Sequence, residues 1–316
     1  MSGIGTLMGD GRQLTVEQTD SQARTKVAGE PFPMLLALDD DSVARAAVRV
    51  TSAVARTRST SVTVLRVIEL AMYCTAESFP ELTNAEDLAL AVDNSHTYRD
   101  ELLRRVVTLA GGEVDWHVVL EIGNDARCII RRAQTIDAEL IVMGLEHHGA
   151  FGRVLLGDTV HQVMASGVAP VLAVTKALET LPKRIVVGMD FTPSSIRAAR
   201  LASTLLDKRG SLELVCVMPA SDSPRRSADK ELTELIKQFA PGTNVTGVKL
   251  YGRAADRLPA YAQEVGADLI AMGSHRYSLV ERIHLGSVSA AVVHDARCSV
   301  LVAPPEPPSA KCTAPL

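Results

Sequence analysis

The chain has little aromatic surface, no clustered cysteines and no excess of positive charge, and each lack removes a class of function. Phe, Trp and Tyr make up 3% of the 316 residues, which leaves few platforms for stacking bases. Thirty-three Lys and Arg stand against 37 Asp and Glu, a formal net charge of −4, so there is no electrostatic footprint for nucleic acid. Five cysteines, Cys74, Cys128, Cys216, Cys298 and Cys312, contain no Cys-x-x-Cys pair and are odd in number. That argues against a disulfide framework or a zinc site, and they read as reduced cytosolic thiols. The first 30 residues lack both the apolar core of a signal peptide and the ~20 apolar residues of a membrane span. A cytoplasmic protein without a membrane partner is expected. Also missing are a Gly-x4-Gly-Lys-Ser/Thr loop, a Gly-x-Ser-x-Gly elbow and a His-Glu-x-x-His helix. No dedicated NTPase, hydrolase or metalloprotease is supported, and beyond slow, incidental ATP hydrolysis the chain is not expected to be an enzyme.

What is present is a duplication. Glu121 to Val174 aligns without a gap to Leu250 to Ala303 at an offset of 129, with 15 of 54 positions identical. Both copies contain an apolar run ending in Met-Gly and a second Gly 13 residues later. A unit of this length is a duplicated domain, not a solenoid repeat. With 47% apolar and 22% charged residues, the chain can bury a core in each of two domains. The expected layout is a polar arm over residues 1–31, domains over 32–176 and 183–304, and a Pro-rich tail over 305–316.

Within each copy, strand-like and helix-like stretches alternate. The first reads as a strand at Pro33 to Asp39, a helix to about Thr57, and a strand at Ser61 to Ile68. A helix at Asp87 to Ala110, a strand near Val114 to Leu120 and a helix near Asp125 to Thr135 follow. Glu139 to Met143, a helix from about Asp158 and Val171 to Val174 complete it. The second repeats the order from Arg184 to Ala303, with helices at Pro193 to Lys208, Ala228 to Phe239, Ala254 to Glu264 and from Ser287. Such alternation implies parallel sheets covered by helices on both faces, five strands per domain. The offset is 151 at Asp39 and Asp190 but 129 from Glu121 onward, so the first copy carries extra residues between about Ile68 and Trp116.

The copies agree best where a strand ends in Gly144 or Gly273 and another glycine, Gly157 or Gly286, stands at a helix start. Glycines there let backbone approach a ligand, and a helix N-terminus offers free N–H groups and positive dipole. The same glycines are also ordinary turn chemistry. The stretch Gly273-Ser274-His275-Arg276, followed nine residues on by Gly286-Ser287, resembles the Gly-x-x-Gly-x9-Gly-Ser/Thr loop of the universal stress protein family. Met189-Asp190-Phe191-Thr192 and Ala267-Asp268-Leu269-Ile270-Ala271-Met272-Gly273 resemble the same family. The chain is thus similar to a tandem member of it.

That resemblance implies two Rossmann-like α/β domains with sheet order 3-2-1-4-5, paired through their last strands. It further implies ATP, with Mg²⁺ where a polyphosphate is bound, lying across the strand ends of a stress-response regulator. By position it assigns Asp190 and Val217 to the adenosine end, and Gly273, Gly286 and Ser287 to the phosphates, with Arg276 beside them. In the first copy it assigns Asp39, Val67, Gly144 and Gly157.

The departures matter equally. The family's second glycine is His147 in one copy and Arg276 in the other, and Arg276 either reaches a phosphate as a cation or fills the vacated space. Ser287 offers a hydroxyl that can cap its helix and donate to phosphate, whereas the first copy has Asp158 there. A carboxylate in contact with polyphosphate costs about 1–4 kcal/mol, depending on the effective dielectric. Asp39-Asp40-Asp41 adds negative charge, or simply forms a strand-end turn and helix cap. His147-His148, His161, His284 and His294 read as solvated or interface residues, Cys128 and Cys298 as small buried groups, and Arg225-Arg226 as a solvated turn. The expectation is an adenine-nucleotide site with the second domain the stronger candidate. The alternative is a nucleotide-free family member serving as a structural or protein-interaction module. A homodimer and an unidentified protein partner are the remaining associations to consider.

Overall fold

A computed structural model describes residues 31–39, 43–68, 85–145, 158–219, 226–239, 242–274 and 286–306. The first domain runs β1 (Phe32–Ala37), α1 (Ala44–Ala55), β2 (Thr60–Ile68), α2 (Ala85–Ala110), β3 (His117–Ile122), α3 (Asp125–Thr135), β4 (Leu140–Gly144), α4 (Asp158–Ser166) and β5 (Val171–Val174). The second runs β6 (Arg184–Met189), α5 (Pro193–Leu205), β7 (Ser211–Met218), α6 (Arg226–Ile236), β8 (Asn244–Tyr251), α7 (Ala254–Val265), β9 (Leu269–Gly273), α8 (Ser287–Asp295) and β10 (Ser299–Ala303).

The strands form one continuous sheet in the order β3-β2-β1-β4-β5-β10-β9-β6-β7-β8. Each half shows the expected 3-2-1-4-5 order, and pairing within each half is parallel. The halves join through the antiparallel pair β5–β10, where Leu172 lies opposite Leu301. These two residues are equivalent at the 129 offset, so the internal pseudo-twofold axis passes between them. Beside them, the Thr175 N–H donates to the Ser299 hydroxyl at 3.1 Å, both residues being buried.

Central strands covered on both faces must be apolar along their whole length, and β5 and β10 are buried at every position. Alternation of side chains sends Leu36, Val64, Val187 and Leu214 into a core with α1, α2, α5 and α6. Leu35, Leu65, Val186 and Val215 enter the opposite core with α3, α4, α7 and α8. Helix α3 starts where the Asn124 side chain accepts from the Arg127 N–H at 3.1 Å, with Asp125 in its first turn matching the dipole. Helix α7 stops at Gly266, whose φ of +65° is the left-handed cap that glycine adopts without strain.

Several boundaries differ from the sequence reading, three of them instructively. Pairing of β3 with β2 begins at Thr63 and His117, so the strand starts later than Val114. Helix α5 ends at Leu205 because Leu206 turns extended, and the Gly210 N–H closes a turn on the Asp207 carbonyl. Arg226 opens α6 and is not part of a loop with Arg225, which lies outside the described residues. Helix α2 has 26 residues against 11 in α6, so a longer helix accounts for most of the first domain's extra length.

Candidate functional site

In a doubly wound sheet the ligand crevice opens where strand order reverses, at the carboxyl ends of the strands. In the second domain that point lies between β6 and β9, which are neighbours with β7 on the far side of β6. Asp190 follows β6 and is exposed. Its Oδ1 accepts from the Thr192 N–H at 3.0 Å and the Thr192 hydroxyl at 2.6 Å. This turn holds Phe191 at φ +62°, a left-handed conformation that costs a non-glycine residue about 1–2 kcal/mol. Phe191 recovers part of that by packing on the core. Thr192 then caps α5, accepting from the Ser195 N–H at 3.4 Å, with Pro193 at the first helical position.

The last registered pair of β6 and β7 is Met189 with Cys216, which puts Val217 level with Asp190. Gly188 pairs with Met272, so Gly273 stands level with Met189 on the other side, one residue before Asp190. The structure thus brings Asp190, Val217 and Gly273 together on three adjacent strand ends.

Gly273 has a packing reason beside the ligand approach read from the sequence. A Cβ there would lie 2.4 Å from the Ser195 nitrogen and 2.6 Å from the Ser194 carbonyl carbon. The glycine lets the first turn of α5 seat on the strand end. Its carbonyl also accepts from the buried Ser289 hydroxyl at 3.3 Å, tying α8 to β9.

Helix α8 follows β9, so its N-terminus lies at the carboxyl edge of the sheet. Gly286 is its cap residue, and no described side chain caps the helix. Ser287 is the first helical residue and exposed, so its hydroxyl does not occupy the capping position read from the sequence. Arg276 lies outside the described residues, as do His147, His148, His284, Asp40 and Asp41.

The first domain places Asp39, Val67 and Gly144 on the corresponding ends of β1, β2 and β4. Gly157 lies outside the described residues; Asp158 begins α4, but its side chain lies outside the description too. Here Asp39 is ion-paired with Arg66 of β2, a residue the sequence reading did not single out. Arg66 Nη1 also donates to the Leu38 carbonyl at 3.3 Å, and the side chain is only 12% exposed. The duplication held the signal, because an offset of 150 sets Arg66 against Cys216.

Val67 pairs across the sheet with Glu121 of β3, which is likewise charged where the second domain is apolar. The Glu121 side chain is 3% exposed and is held by Arg132, through Nε at 2.8 Å and Nη2 at 2.7 Å, and by Arg131 at 2.5 Å. The equivalent residues at the 129 offset are Leu250, Tyr261 and Ala260. Burial, with Glu121 adding to it, pushes the nearby Cys128 thiol up to about 11. In the second domain the Tyr261 hydroxyl donates to Glu213 at 2.6 Å, and burial followed by that bond pushes it up to about 12. Half-buried Cys298 is raised by burial to about 11. Among the described residues no cluster of three His, Cys, Asp or Glu is placed to hold a metal ion, and no helix is long and apolar enough to cross a membrane.

The family model described as the universal stress protein family matches residues 32–175 and again 182–304. The chain belongs to the universal stress protein family. A universal stress protein of Mycobacterium tuberculosis is 29% identical over 186 residues, covering 53% of this chain and 62% of the relative. A second from the same organism is 30% identical over 189 residues, covering 52% and 58%. The chain thus spans about three-fifths of the length of the curated relatives it matches. The crystal structure of a universal stress protein from Archaeoglobus fulgidus superposes with a TM-score of 0.66 at 23% identity, covering 88% of this chain and all of that one. That likeness shows the two-domain fold.

Proposed function

We propose that this universal stress protein binds an adenine nucleotide, as ATP, in its second domain, and that occupancy alters its association with a protein partner or with itself. The observation that carries the reading is the start of α8 at Gly286 and Ser287. It is uncapped by any described side chain and stands at the sheet edge that also bears Asp190. The N–H groups of the helix's first turn and the helix dipole stabilise phosphate oxygens there. The Asp190 carboxylate, level with Val217, can accept from ribose hydroxyls at the opposite end of the ligand. The role is binding, with no residue assigned as a base for hydrolysis.

Calorimetry with ATP and Mg²⁺ on nucleotide-free full chain tests this. Binding is expected, and Gly286→Glu, which puts a carboxylate at the helix start, abolishes it. A folded wild-type chain that takes up no nucleotide refutes the reading and leaves the nucleotide-free module, which the ion-paired Asp39 favours for the first domain.

A further inference from the structure

Arg197 lies on the second turn of α5 and is half-buried. Its Nη1 donates to the Pro304 carbonyl at 3.0 Å and the Pro305 carbonyl at 3.2 Å, just past the end of β10. The internal pseudo-twofold shows what this contact replaces. At the end of β5 the Thr175 N–H donates to the Ser299 hydroxyl at 3.1 Å. The mates of those two residues at the 129 offset are Pro304, which has no N–H, and Pro170, which has no hydroxyl. The symmetric bond cannot form at the second exit, and Arg197, whose own counterpart at the 151 offset is Ala46, holds that exit from the helix instead. We propose that Arg197 is a positioning residue for the phosphate end of the second-domain site. The inference rests on the nucleotide reading above and adds a residue that need not touch the ligand.

The contacts run from Arg197 to the start of α8 through described residues. Ala303, the last residue of β10, is paired with Gly273, and its carbonyl accepts from the Ser274 N–H at 2.9 Å. The Gly273 carbonyl accepts from the Ser289 hydroxyl at 3.3 Å, which ties α8 to the same strand end. The last bonds of a ladder open first, because a strand end frays. By fixing the two residues after Ala303, Arg197 keeps this end closed and with it the seat of α8, whose Gly286 and Ser287 face the phosphates on that reading. Burial lowers the guanidinium from its ordinary value, against Glu306 of the exit segment and Glu139 of the first domain. It stays charged at physiological pH, so its bonds to the carbonyls are charge-assisted. The adenosine end stands apart from these contacts, since Asp190 and Val217 are placed by β6, β7 and Thr192.

Calorimetry and hydrogen exchange on the full chain test the idea. Wild type is expected to bind ATP with Mg²⁺ and, more weakly, adenosine. Arg197→Met keeps the stem and removes the donors. It should weaken ATP by at least about tenfold and leave adenosine within about twofold, because only the phosphate end is loosened. In nucleotide-free protein the same variant should speed exchange of the Ser274 amide by about tenfold. If Arg197→Met does not fold, Arg197→Gln, whose amide stops short of the two carbonyls, is read in the same way.

A folded variant that binds ATP like wild type, or that loses ATP and adenosine equally, overturns the proposal and leaves the nucleotide reading intact. Ser274 exchange at the wild-type rate overturns it too. No ATP uptake by wild type removes the nucleotide reading itself, and this inference with it.

Discussion

Replacing Gly273 by Ala is expected to destabilise the chain even in the absence of any ligand. The added Cβ would sit 2.4 Å from the Ser195 nitrogen, 2.6 Å from the Ser194 carbonyl carbon and 2.6 Å from the Ser194 hydroxyl oxygen. An ordinary carbon contact begins near 3.4 Å, so the start of α5 must retreat by on the order of 1 Å. Two of the three atoms are backbone and cannot rotate aside. Ser194 and Ser195 are both buried, and α5 packs along β9, β6 and β10, so the shift is resisted along the helix. Overpacking of this kind costs about 1–3 kcal/mol, and a backbone clash belongs at the upper end. Urea unfolding of nucleotide-free protein reads the loss as a lower midpoint at unchanged slope. The companion variant Gly286→Ala should lose about 1 kcal/mol or less, because φ −55° and ψ 148° suit any L-residue. A Gly273→Ala chain within about 0.5 kcal/mol of wild type would show that α5 yields freely, and the packing argument for this glycine would fail.

Other outcomes follow from the charged and titrating groups. Glu121→Leu should cost about 3–5 kcal/mol, since it leaves the Arg132 guanidinium, 8% exposed, buried without its carboxylate. Adding Arg131→Ala and Arg132→Tyr, the second domain's residues, should return much of that; a single variant as stable as wild type by urea unfolding would contradict the cluster's role. At alkaline pH, folded Cys128 and Cys298 keep their protons to about pH 11 against 9 for an ordinary thiol, and Tyr261 to about 12 against 10. Folded-state values raised in this way mean stability fully present below pH 9 that falls as pH rises through 11 and 12. Urea midpoints should therefore drop above pH 9, and Cys128→Ala with Cys298→Ala should flatten the decline between 9 and 11.

Much of the fold was legible because the signals were local and occurred twice. The apolar runs at Val171–Val174 and Leu140–Gly144 mark central strands, and their repeats at Ser299–Ala303 and Leu269–Gly273 fix the second domain. The start of β3 was harder, because residues 114–116 have strand-like character but no partner on β2. The site was legible as positions and less so as roles. Asp190, Val217 and Gly273 do meet on adjacent strand ends, yet Gly273 also answers to the close approach of α5, visible only in three dimensions. Ser287 was read as a cap, but the cap falls one residue earlier because the helix begins at Ser287 itself. Arg66 escaped notice because an arginine among the valines and leucines of a strand reads as a snorkelling side chain, and its partner Asp39 lies past the end of a neighbouring strand.

A crystal structure of the full chain grown with saturating ATP and Mg²⁺ addresses the second-domain site most directly. The expected result is nucleotide density between Asp190 and Val217 at one end and Gly286 and Ser287 at the other, with none against Asp39. Nucleotide seated on Asp39, or a second domain without nucleotide at saturating concentration, would contradict it.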